Sequence, residues 1–219
     1  MFKSLLLISF IVALASASLD SIKSLKDIFD SMDDSPACQR ESARFKDCFK
    51  DVEETTTPYK ESGAFPTQEE IRDELPKVKK AIQCVGEVTC NKLILTMYIV
   101  ESATYAMEKI ALGGHDCFNE RNLQSSTLIC TLKEIPLEHI QFGDTSLISQ
   151  SARPIARCVA LEQNCDDVAK LEFLKGATAF ADLSQVAMPT SFAVQGGDLT
   201  YIETFDKKFN PADYDNLQL

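Results

Sequence analysis

The stretch QCVGEVTC, Gln83 to Cys90, places two cysteines around a single glycine, and its reading decides the fold. Such a pair is a metal clip, a redox couple or part of a disulfide staple. A redox couple needs Cys-x-x-Cys, in which the second thiol lowers the pKa of the first and resolves a mixed disulfide. Structural zinc favours Cys-x(2–4)-Cys knuckles, usually supported by histidine. The eight cysteines are Cys38, Cys48, Cys84, Cys90, Cys117, Cys130, Cys158 and Cys165, with intervening spacings of nine, five, twelve and six residues within successive pairs. None has the redox spacing, and only two histidines, His115 and His139, accompany them. An even number of cysteines in an exported chain points to disulfides.

Export is read from the N-terminus. Lys3 precedes an apolar run from Leu5 to Ala15, followed by the small-x-small pattern Ala15-Ser16-Ala17. Residues 1–17 form a secretory signal peptide cut after Ala17. The run is too short to span a bilayer, which takes about 20 apolar residues. The expected localisation is secreted and extracellular, with no membrane span. The net charge of −11 disfavours nucleic acid and anionic membranes as partners, because phosphates are repelled by such a surface.

The apolar periodicity is helical. Ile22, Leu25, Ile28, Phe29 and Met32 recur every three to four residues, and Cys38, Phe45 and Val52 share a face in the next segment. Within one helix Cys38 and Cys48 are about 15 Å apart along the axis. A disulfide needs Cα atoms within about 7 Å, so each must bond elsewhere. Residues 55–66, TTTPYKESGAFP, read as a loop, and Thr67 with Glu70 as a capping box. Pro76 and Pro154 are expected to start, kink or break their helices. A buried helix follows from Asn91 to Gly113-Gly114, so Cys84 and Cys90 bracket a helix-to-helix corner. Their expected partners are Cys38 and Cys48 rather than each other.

The second half has the same layout. Cys117 and Cys130 precede a loop around Pro136 and Gly143, and Cys158 and Cys165 bracket another corner before a helix from about Asp166 to Val186. The predicted fold is all-α, a disulfide-stapled helical bundle, with two related four-cysteine modules as one reading. Residues 18–188 form the stapled domain, and residues 189–219 a loosely structured tail whose Phe205, Phe209 and Tyr214 either dock on the bundle or are available to a partner, a weak hairpin around Val194 and Leu199–Ile202 being the other reading.

Three stretches resemble the insect 27-kilodalton hemolymph glycoprotein family: CQRESARFKDC at Cys38–Cys48, GGHDCFNERNLQSSTLIC at Gly113–Cys130, and CVALEQNC at Cys158–Cys165. That family carries additional cysteines and N-glycosylation sites, whereas this chain has no Asn-x-Ser/Thr sequon. Nematode exported domains with paired cysteines are a second resemblance. Both imply extracellular fluid and a stapled helical fold, and neither supplies a catalytic motif.

No catalytic residue, metal ligand or cofactor site is expected. His139 has no nucleophile motif beside it, and His115 follows a helix-stopping Gly-Gly. The acid pairs Asp33-Asp34, Glu53-Glu54, Glu69-Glu70 and Asp166-Asp167 lie in polar stretches or helix starts, where dipole capping accounts for them. Asn210, Asp213, Asp215 and Asn216 lack the EF-hand spacing. The expected function is non-enzymatic binding of an apolar small molecule, in a cavity between Leu93–Leu112 and Leu171–Met188, or of an extracellular protein. The alternative is a structural or storage protein without a small ligand.

Overall fold

The computed structural model describes residues 35–62, 67–117, 120–135 and 145–219. The signal segment, the Ile22–Met32 periodicity, His139 and the Pro136 and Gly143 loop lie outside them. The described residues are mostly helical and contain no strand. In chain order they form α1 (Pro36–Ser62), α2 (Gln68–Val85) and α3 (Asn91–Met107), with a π-helical continuation at Glu108–Gly113. A 3-10 turn (His115–Cys117), α4 (Glu120–Glu134), α5 (Thr145–Glu162), α6 (Asp167–Gly196), α7 (Thr200–Glu203) and a final 3-10 turn (Pro211–Tyr214) follow.

The cysteines form four bridges with none left free: Cys38–Cys90, Cys48–Cys84, Cys117–Cys165 and Cys130–Cys158. In each set of four the first cysteine bonds the fourth and the second bonds the third. The nested pairs close chain separations of 52 and 36 residues in the first set, and 48 and 28 in the second. Loops of this length give about 4 kcal/mol per bridge by chain entropy, less when nested because the outer closure already restricts the inner one.

The chain divides into two compact units, each containing one set. The first comprises the described residues up to Thr104 together with Ala187–Asn210. In it α1 packs on α2, and Val85, Val88, Cys90, Leu93 and Met97 form a core against which Phe45 and Phe49 rest. The second comprises Tyr105–Val186 with Pro211–Leu219, where α4 packs on α5. Its core gathers Cys117, Cys130, Ile155, Val159, Phe173 and Leu174.

Local signals set most helix starts. Thr67 accepts from the Glu70 N–H, and the Glu70 carboxylate accepts from the Thr67 N–H, the reciprocal capping box. Asp166 caps α6 by accepting the N–H groups of Val168 and Ala169, both at 2.9 Å.

Several boundaries differ from the sequence expectation. Residues 55–62 continue α1 instead of forming a loop. Pro76, Pro154 and Pro189 lie inside α2, α5 and α6. A mid-helix proline costs about 3 kcal/mol in isolation. In α2 that cost is met on both sides of Pro76, by buried Ile71 and Leu75 before it and by Ala81, Val85 and the Cys84 bridge after it. In the tail the hairpin reading is corrected, since α6 extends to Gly196 and α7 follows it, while buried Phe205 and Tyr214 match the docked alternative and Ile202 is buried as well. Gly197, at φ 69°, supplies the left-handed turn between α6 and α7.

Candidate functional site

In the first unit the Gln83–Cys90 corner is held rigidly. Gly86 ends α2 at φ 63°, and its N–H donates to Ile82 O at 3.2 Å. The Glu41 carboxylate of α1 accepts from the Thr89 hydroxyl (2.7 Å), the Thr89 N–H (3.0 Å) and the Cys90 N–H (3.1 Å). Arg44, one turn on, donates to Glu87 O at 2.7 Å. Burial works to raise the Glu41 pKa, but the bonds from Thr89 and Cys90 and the Arg44 charge outweigh it and hold the carboxyl below its ordinary value. Glu41 therefore serves as a cap for α3 delivered from another helix.

Beside this corner lies a groove of about 330 Å³. Ile82, Val88, Ile94 and Met97 give it an apolar floor, and Tyr98, Glu101, Lys208 and Phe209 line its remaining sides. Tyr98 is fixed by edge contacts to Phe205 (5.6 Å between centroids) and Phe209 (6.2 Å). The Asn91 side chain donates to Glu203 O, tying α7 to the start of α3. Desolvation raises the Glu101 pKa, and the Lys208 charge partly opposes it. The groove thus offers an apolar bed with two carboxyls, Glu87 and Glu101, and one ammonium, Lys208, along it. That combination suits holding a molecule and provides no nucleophile-base pair.

A second recess of about 390 Å³ is lined by Ala37, Arg40, Glu41, Arg44 and Glu87. Four of these lining residues are charged, and Glu41 and Arg44 are the groups that clamp the corner.

The long helices behave differently from a cavity wall where the second unit brings them together. A Cβ on Gly176 would lie 2.7 Å from Ile110 Cγ1 and 2.8 Å from the Ala106 carbonyl oxygen. One on Gly114 would lie 2.7 Å from Phe173 Cβ. Backbone packs directly on backbone there, leaving no volume for a ligand. The π-helical turn aids this approach, widening the helix so that the Gly114 N–H reaches Lys109 O at 2.7 Å. Glu172 accepts from Lys109 and from Lys175, at 2.9 Å for the latter, and these bonds lower its pKa against the opposing effect of burial.

The candidate residues from the sequence fall as follows. All eight cysteines are bridged. His115 and Asp116 are exposed in the 3-10 turn. Glu70 and Asp166 cap helices, and Asp33-Asp34 lies outside the described residues. Among the described residues, no group of three or more His, Cys, Asp or Glu is arranged to hold a metal ion. Asp213 sits in the final turn, where Tyr214 is buried. Sequence reasoning singled out Phe209 as docked or open to a partner but missed Glu101 and Lys208 as groove residues. The one available signal was the aromatic pair Phe205 and Phe209 in an acidic, cysteine-free tail.

Fold and bridges define a disulfide-stapled all-α protein in which no helix among the described residues is long and apolar enough to cross a membrane. Comparison with protein-family models, curated proteins and solved structures returned no match.

Proposed function

We propose that this chain is an exported, non-enzymatic binding protein of an extracellular fluid, and that its ligand is an apolar molecule seated between the Cys84–Cys90 corner and α3. The observation that carries this reading is the groove itself, with apolar Ile82, Val88, Ile94 and Met97 below and Glu101 and Lys208 placed to meet a polar end. Four bridges fit an oxidising compartment. The signal-peptide pattern and the resemblance to the hemolymph glycoprotein family fit the same setting.

Native mass spectrometry of the protein purified from a secreting host tests the reading. A retained apolar mass that is lost on organic extraction, and lost again in an Ile94→Glu variant, supports it. A bare protein that also fails to bind an apolar fluorescent probe counts against it.

The structural or storage reading, without a small ligand, draws on the direct helix contacts at Gly114 and Gly176. Under that reading the protein is abundant in its fluid, and no small molecule raises its melting temperature.

A further inference from the structure

The groove of the first unit changes in polarity along α3. Ile94, Met97, Tyr98 and Glu101 all line it. They fall at i, i+3, i+4 and i+7, on one face of the helix, so Glu101 lies about 10 Å along the axis from Ile94. That span is close to the length of an extended octyl chain. Ile82 and Val88 add to the apolar bed, and the groove volume is about 330 Å³. At the volume of a water in the liquid per atom, it holds on the order of ten non-hydrogen atoms.

Glu101 is the one partly buried carboxyl of the lining. Among the described residues it makes no hydrogen bond or ion pair, and Lys208 acts on it only as a nearby charge. Burial strips water from this carboxyl and raises its pKa. Lys208 is exposed, so its ammonium stays solvated and can swing aside at little cost. Glu87, the other carboxyl, is exposed too. The lining therefore sets two carboxyls against one ammonium, on a chain of net charge −11.

We propose that the occupant of this groove, taken as the ligand site proposed above, is a small amphiphilic amine, with its ammonium at Glu101 and its apolar body on Ile82, Val88, Ile94 and Met97. The ammonium gives the Glu101 carboxylate the charge-assisted hydrogen bond it lacks, and such bonds are roughly twice as strong as neutral ones. An alcohol of equal length gains only the weaker bond. A fatty acid brings a second carboxylate beside Glu101, and like charges sharing a desolvated site repel. Its pairing with Lys208 is a solvent-exposed contact, which is worth little. The negative field of the chain also draws cations toward it.

Octylamine, octanol and octanoate share one apolar body and test the head group alone. Each is titrated calorimetrically, near neutral pH, into the full mature chain with its bridges formed. The amine should bind about tenfold or more tighter than the alcohol, with the acid weakest. Glu101→Gln should erase the advantage of the amine over the alcohol, and Lys208→Gln should enlarge it. General attraction of cations to an acidic protein would survive Glu101→Gln, and that survival overturns the proposal. Equal affinity for amine and alcohol, or a preference for octanoate, also overturns it while leaving the groove an apolar site. Ile94→Gln, in the bed, should weaken all three alike. If none of the three binds, or if Ile94→Gln changes nothing, the groove is not the ligand site and both readings fall.

Discussion

Glu41 Oε2 lies 3.1 Å from the backbone nitrogen of Cys90, so a carboxylate on α1 caps α3 next to the Cys38–Cys90 bridge. Losing such a cap costs about 0.5–2 kcal/mol. Glu41→Gln is expected to lower the melting temperature at pH 7. Because the folded-state pKa is depressed, this stabilisation is present above the ordinary value of 4.5 and disappears as pH falls through the folded pKa. Thermal melts of wild type and variant should converge once the pH has fallen below the folded-state pKa.

Glu101 has the opposite sign. Its pKa is raised by desolvation in the groove, so the folded state favours the protonated form. Its contribution is fully favourable below the unfolded value and is lost as pH rises through the folded pKa. Glu101→Gln should therefore melt higher than wild type at pH 7 and equally below pH 4, near the ordinary carboxylate value. A variant that melts lower at pH 7 would show that the Lys208 attraction dominates.

Two glycines of α6 should respond oppositely to alanine. At Gly176 the new Cβ meets Ile110 Cγ1 and the Ala106 carbonyl, and Gly176→Ala should cost about 1–3 kcal/mol in chemical denaturation despite alanine's better helix propensity. At Gly196 nothing lies within 4 Å, and Gly196→Ala should be neutral or stabilising by up to about 1 kcal/mol.

The C-terminal residues are anchored through Asp182, which is 8% exposed and accepts from Arg153 Nη2 at 2.7 Å and Tyr214 Oη at 2.9 Å. Arg157 adds a bond to Gln218 O at 2.8 Å. Tyr214→Phe should cost about 1–1.5 kcal/mol and speed proteolysis within residues 211–219. Cleavage at the wild-type rate would mean that ring packing alone, including the Tyr105 contact at 5.3 Å, holds the segment.

Replacing Cys48 and Cys84 with serine removes the inner bridge of the first unit, where Cys48 is partly buried and Cys84 exposed. A loss of about 2–4 kcal/mol is expected. Hydrogen exchange should accelerate in α1 and α2 while α4 and α5, stapled separately, keep their protection.

The sequence carried the helical class and the cysteine logic. A pair nine residues apart in one helix cannot bond to itself, which forces Cys38 and Cys48 outward to other segments. The capping box at Thr67 and the cap at Asp166 were legible because they depend on residues within one helical turn. The tail was not legible: Pro189 and Gly196-Gly197 read locally as breakers, yet buried Ala187, Thr190 and Ala193 carry α6 through the proline.

By itself, then, the sequence determined that the chain is helical, that its cysteines staple separate helices, and where most helices begin, since each follows from spacing along the chain. Only the tertiary structure decided the nested order of the bridges, the groove completed by Phe209, and the exposure of Leu128, Ile129 and Leu132 on α4. Those depend on which distant segments meet: of the leucines of α4, Leu123 packs on the core while Leu128 and Leu132 are exposed.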